Sequence, residues 1–201
     1  GILITHCSAG HFIGLLQLGK DGLDALEVPV YCTFSVASFL EENLPFSQLI
    51  RRRNIKIINL AIGSVCKISS NICVEPLKVA APKESLTDTV SFVFSVNSSK
   101  KLLYCPSSSW WEDSGIEIRA LCNEMECVIL DGTYYSKSEL TGRHSAEDSN
   151  FPFVKDSLKY LHGSKANIVF THYNHTNPIS LPNSLESQLV VQQGMRVARF
   201  G

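Results

Sequence analysis

The chain has 201 residues, 44% of them hydrophobic and 18% charged, with a formal net charge of −1. That length suits a single domain spanning residues 1–201 with one sizeable core, and the composition excludes the fibrous and disordered classes. A charge so near zero leaves no overall field to draw the chain to nucleic acid or to an anionic membrane surface.

The predicted elements follow from hydrophobic period. "GILIT" reads as a short buried strand, and residues 12–26, "FIGLLQLGKDGLDAL", carry apolar positions at helical spacing interrupted by Gly19 and Gly22. "VPVYCT" is a strand, "SVASFLEEN" a helix capped by Ser35, and "PFSQLIRRRN" a second short helix with Arg51, Arg52 and Arg53 where the helix dipole favours cations. From 55 to 105 the texture turns to strands: "IKIINL", "SVCKIS", "LKVAA", "TVSFVFSV" and "KLLYC". Helix and strand then alternate through "SGIEIRALCNEM", "ECVILDG", "FVKDSLKYLHG", "NIVFTH", "LPNSLESQLVVQQG" and "MRVARF", with a long polar loop over 132–152. This order predicts sheets covered by helices.

Seven cysteines, Cys7, Cys32, Cys66, Cys73, Cys105, Cys122 and Cys127, include no Cys-x-x-Cys pair and fall mostly inside apolar runs. That pattern reads as buried reduced thiols rather than a disulfide framework, and so predicts a cytoplasmic setting. No stretch approaches the roughly 18 apolar residues of a membrane span, and the N-terminus lacks the features of a signal peptide.

The polar residues carry the functional signal. His6 follows "GILIT", Asp131 ends "ECVIL" and His172 ends "NIVFT", so three metal-competent side chains stand just past the C-terminal ends of apolar strands. In layered α/β proteins those are the ends where sites assemble. His6 and His11 lie five apart, and His172 and His175 lie three apart in "THYNHTNP". Two such pairs brought together offer up to four nitrogen donors, where a catalytic zinc takes three protein ligands and an open position. For any one pair, a hydrogen-bonded structural role is the commoner meaning.

"ILITHCSAGHFIGLLQLG", "TDTVSFVF", "KLLYCPSSSWWE", "ILDGTYYSKSELTGR" and "THYNHTNP", in that order and over nearly the whole chain, resemble the metallo-β-lactamase superfamily, in the branch that contains pyrroloquinoline quinone biosynthesis protein B and related hydrolases. The resemblance implies an αββα sandwich of two mixed sheets with helices outside and a metal site at one edge. It also exposes departures. Where the family has His-x-His-x-Asp-His, this chain has His6, Ser8, Gly10 and His11. Pro82 and Ser107 stand where a histidine and a bridging aspartate are expected, and Asn150 or Phe151 replaces a further histidine. A neutral hydroxyl or a proline cannot replace imidazole or carboxylate at a divalent ion, so the resemblance implies a largely eroded centre. What survives is at most one zinc or iron ion on His6, His11 and His172, completed by Asp131 or His175, with Asp131 a ligand or general base; the other outcome is no metal at all.

The family also places several strands ahead of its first metal motif, whereas this chain begins at the strand delivering His6. An exposed sheet edge is therefore expected, covered by a second copy or a partner chain, or else the sequence is part of something longer. Two functions remain in play. One is a fold that has lost its centre and serves as a weakly catalytic or non-catalytic binding protein, with Trp110 and Trp111 as alternative contact residues. The other is an active mononuclear hydrolase or oxidoreductase with a small-molecule substrate. Nucleic-acid processing has little support, since "RRRNIKI" is the one basic stretch and no aromatic-interleaved patch accompanies it.

Overall fold

The computed structural model describes residues 1–80, 86–97, 99–141 and 151–199. Pro82 and Asn150, and most of the second half of the 132–152 loop, lie outside the described residues.

The strands are β1 (Ile2–Leu3), β2 (Val28–Thr33), β3 (Ile55–Leu60), β4 (Cys66–Lys67), β5 (Ile72–Lys78), β6 (Val90–Val96), β7 (Ser99–Cys105), β8 (Cys127–Asp131), β9 (Asn167–Thr171) and β10 (Arg196–Val197). The helices are α1 (Ala9–Phe12), α2 (Phe34–Glu42), α3 (Phe46–Arg51), α4 (Ile118–Glu124), α5 (Val154–Tyr160) and α6 (Leu185–Gln192), with short 3-10 segments at Ile13–Leu18, Lys137–Leu140 and Pro178–Ser180. They build two sheets, β1-β2-β3 and β10-β9-β8-β7-β6-β5-β4. The smaller is parallel throughout. The larger is mixed, antiparallel from β4 to β7 and parallel from β7 to β10.

Three apolar clusters define the layers. Val30, Val36, Leu40 and Ile55 join β1 to β3 with α1 to α3. Leu60, Val74, Val90 and Phe92, flanked by Leu3, Tyr31 and Tyr104, lie between the two sheets. Trp111, Ile118, Leu130, Leu158, Phe170 and Val190 seal β6 to β9 under α4, α5 and α6. This is the helix, sheet, sheet, helix sandwich, with hydrophobic burial on both faces of each sheet as its main driving force.

Several local expectations are corrected. The helical stripe over 12–26 becomes a turn of α-helix, a 3-10 segment and a loop, because the chain folds back at Gly22, where a Cβ would overlap the Gln17 carbonyl. Ser35 is not the cap of α2; Thr33 holds that place, and the Ser35 hydroxyl instead donates to Asp88 Oδ2 at 2.9 Å and accepts the Asp88 amide at 3.0 Å. The strand expected at "LKVAA" begins five residues earlier, at Ile72. Pro76 is tolerated inside it because the carbonyl on that side bonds Gly63 rather than a strand of the sheet, so the missing N–H removes no ladder bond. Trp111 is buried in the core and donates from Nε1 to Ser157 Oγ at 2.8 Å, and Trp110 packs on Tyr160. Arg51 bonds Ser47, and Arg53 pairs with Glu27.

Candidate metal centre

Parallel pairing of β7, β8 and β9 places their carboxyl ends along one edge of the large sheet. Ser107, Asp131 and His172 follow from those ends. The segment after β1 reaches the same edge from the other sheet, because the Val90 amide at the start of β6 donates to the Thr5 carbonyl at 3.1 Å. His6 is thereby delivered to the large sheet, and α1 turns back at once to bring His11 beside it.

The three rings meet. The His6 and His11 centroids are 4.1 Å apart, and those of His11 and His172 are 4.4 Å apart, each pair tilted by about 45°. Together with Cys7, Ser8, Ser107, Thr133 and Phe151 they line a cavity of about 490 Å³. Burial, reinforced by His172, pushes the His6 imidazole from 6.5 down to about 4. Burial and then the His6 and His172 rings take His11 to about 4, with Asp131 pulling the other way. Both rings are therefore neutral near pH 7, the state in which imidazole offers a lone pair. Burial also pushes the Cys7 thiol up to about 11, which makes it an inert neighbour rather than a nucleophile.

The other predicted residues fare differently. Asp131 is 1% exposed and does not line the cavity; its Oδ1 accepts the Thr133 amide at 2.7 Å and the Thr133 hydroxyl at 2.6 Å, and stands 4.0 Å from His172 Nδ1. His175 is exposed and outside the cavity lining. Two residues not named among the candidates hold the site. Thr133 Oγ1 lies 3.2 Å from His172 Nδ1. Asn177, fully buried, donates to the Gly132 carbonyl at 2.6 Å and accepts the Ile179 amide at 3.0 Å. The signal for Thr133 was present in "LDGT", since an Asp two residues before an amide forms this local turn.

Among the described residues, three imidazoles meet at the cavity, and Ser8 and Ser107 line it with no carboxylate beside them that could bridge a pair of metals. The rings lie against each other, and among the described residues no group of three or more His, Cys, Asp or Glu side chains is arranged around a common metal position.

The family described as "Beta-lactamase superfamily domain" matches residues 1–173. The chain belongs to the beta-lactamase superfamily. Coenzyme PQQ synthesis protein B of Klebsiella pneumoniae is 23% identical over 227 residues, covering all of this chain and 70% of the relative. The crystal structure of Zn(2+)-bound PqqB from Methylobacterium extorquens superposes with a TM-score of 0.80 at 19% identity, covering 99% of this chain and 70% of that one. Igni18, a metallo hydrolase from the archaeon Ignicoccus hospitalis, gives 0.60 at 9% identity over 98% and 74%. These likenesses fix the fold as the metallo-β-lactamase-like sandwich, and the curated relatives the chain resembles are PQQ synthesis B proteins. Among the described residues, no helix is long and apolar enough to cross a membrane.

Proposed function

We propose that this chain is a metallo-β-lactamase-fold protein, descended from metal-dependent hydrolases, whose metal centre is largely eroded and whose pocket binds a small molecule with little or no catalysis. The observation carrying this reading is the pocket wall, where Ser8 and Ser107 stand among the His6, His11 and His172 rings and Asp131 is turned into the protein. Neutral hydroxyls bind divalent ions weakly. A pocket of this size with apolar Phe151 and Leu86 beside polar rings suits a small, mixed-polarity ligand. Four buried thiols, Cys7, Cys32, Cys105 and Cys122, favour a reducing, cytoplasmic setting.

The meeting of His6, His11 and His172 favours a second reading, a mononuclear hydrolase or oxidoreductase. Those three rings would hold one zinc or iron ion after turning about their side-chain torsions. Such an ion, when bound, lowers the pKa of its water toward neutrality. The protein's part is to keep His6 and His11 unprotonated.

Elemental analysis of the purified chain beside the H6A/H11A variant separates the two. The eroded centre predicts no tightly held metal in either protein after dialysis. About one zinc or iron per chain, lost in the variant, would replace the binding-protein reading with the mononuclear enzyme.

A further inference from the structure

The contacts behind His172 determine where its proton sits. Asp131 Oδ1 already accepts the backbone N–H of Thr133 at 2.7 Å, so that oxygen carries no hydrogen. The Thr133 hydroxyl, 2.6 Å from the same oxygen, must donate to it. A threonine hydroxyl has a single proton. Having spent it on Asp131, Thr133 Oγ1 can only accept at its other contact, which is His172 Nδ1 at 3.2 Å. Nδ1 therefore carries the hydrogen, and the neutral ring keeps its lone pair on Nε2, at the ring edge away from Thr133.

The backbone around these groups is built to keep them in place. His172 has φ +58°, in the left-handed region that a side chain other than glycine rarely adopts. Three ties hold the loop after β8 against β9 and the loop that follows it. The Gly132 amide donates to the Thr171 carbonyl at 2.8 Å, the Asn174 amide donates to the Thr133 carbonyl at 3.0 Å, and buried Asn177 clamps the Gly132 carbonyl. Gly132 itself has no room for a side chain, since a Cβ would stand 2.9 Å from the Thr171 carbonyl oxygen. By contrast, Thr5 Oγ1 lies 3.0 Å from His6 Nδ1, and among the described residues no second bond assigns its proton.

We propose that Thr133 is a positioning residue: oriented by Asp131, its hydroxyl fixes His172 as the Nδ1–H tautomer and presents the Nε2 lone pair to the pocket. On the second, mononuclear reading of the pocket, the occupant this selects is an electron-pair acceptor, of which a divalent cation of the zinc type is the simplest case. The tautomer assignment stands on the contacts alone; the link to an occupant rests on the pocket being the binding site.

Long-range ¹H–¹⁵N correlation spectra of the full ¹⁵N-histidine-labelled chain, with chelator at pH 8, read the proton position directly. The wild type is expected to show His172 protonated at Nδ1, T133S to keep that pattern, and T133V to shift toward Nε2–H, the form free imidazole side chains favour. Nε2–H at His172 in the wild type overturns the proposal, and so does a pattern unchanged in T133V. The wild-type spectrum decides even if T133V fails to fold. Zinc titration of the same proteins tests the occupant: a wild type that binds zinc should lose roughly 10–100-fold in affinity in T133V and recover in T133S. Equal affinity in all three overturns Thr133's role in presenting the lone pair. A wild type that binds no zinc overturns the cation as occupant and, with it, the mononuclear reading, while the tautomer spectra still decide the positioning role.

Discussion

Two buried histidines make this fold sensitive to mild acid. His6 and His11 titrate near 6.5 when the chain is unfolded and at about 4 when folded, chiefly because burial disfavours the charged ring. The folded form is the weaker base, so the unfolded chain binds more protons throughout that window. Stability contributed by the neutral rings is complete above about pH 6.5, falls as the pH drops, and is fully lost near pH 4. Each ring loses about 1.4 kcal/mol per pH unit, giving about 3 kcal/mol for His6, which is only 3% exposed. His11 is half-buried and its shift partly repeats the His6 contact, so solvent screening and coupling reduce its share to about 1–2 kcal/mol. The sum is a large part of the 5–15 kcal/mol typical of a folded domain. Asp88, held low by Lys78 and Ser35, and Glu27, held low by Arg53, add their own loss of stability only toward the acid end of that window, as the pH approaches the ordinary carboxylate range. Urea unfolding in chelator at pH 7.5, 6.5, 5.5 and 4.5 should show the midpoint falling steadily, with the fall much reduced in H6Q/H11Q. A midpoint constant over that range, or an equal fall in the double variant, would refute the argument.

Two further substitutions probe the scaffold. G132A places a methyl 2.9 Å from the Thr171 oxygen and 3.2 Å from Phe170 Cβ, and should cost about 1–3 kcal/mol in urea unfolding while disturbing the tie to His172; a neutral result would mean that β8 and β9 are not held this closely. W111F removes the bond from Nε1 to the buried Ser157 hydroxyl and part of the indole volume. It should cost about 2 kcal/mol, against almost nothing if the tryptophan were a surface contact residue.

How much of the site could be read from the chain depends on which interactions placed each residue. His6, Asp131 and His172 were legible because each follows an apolar run whose type and end are set by local sequence. Once the runs before Asp131 and His172 pair in parallel their ends share an edge, and the bond from the Val90 amide to the Thr5 carbonyl brings the end of β1 there from the other sheet. His175 has the same spacing argument as His11, yet it faces solvent, because the chain leaves β9 through the left-handed turn at His172 and period alone carries no information about that turn. The breakdown of the 12–26 helix has a similar origin: the apolar stripe was real, but the close approach at Gly22 decided the path. Thr133 and Asn177 were missed as individuals although "DGT" and "HTNP" were noticed, since their partners lie 39 and 45 residues away. The consequence concerns function more than fold. In this chain the donor histidines can be found by their position on strands, whereas the groups that decide what those histidines present to a ligand are set by contacts between loops. A variant that keeps His6, His11 and His172 but breaks the Asp131, Thr133 and Asn177 bonds would preserve every motif ligand and still present a different pocket.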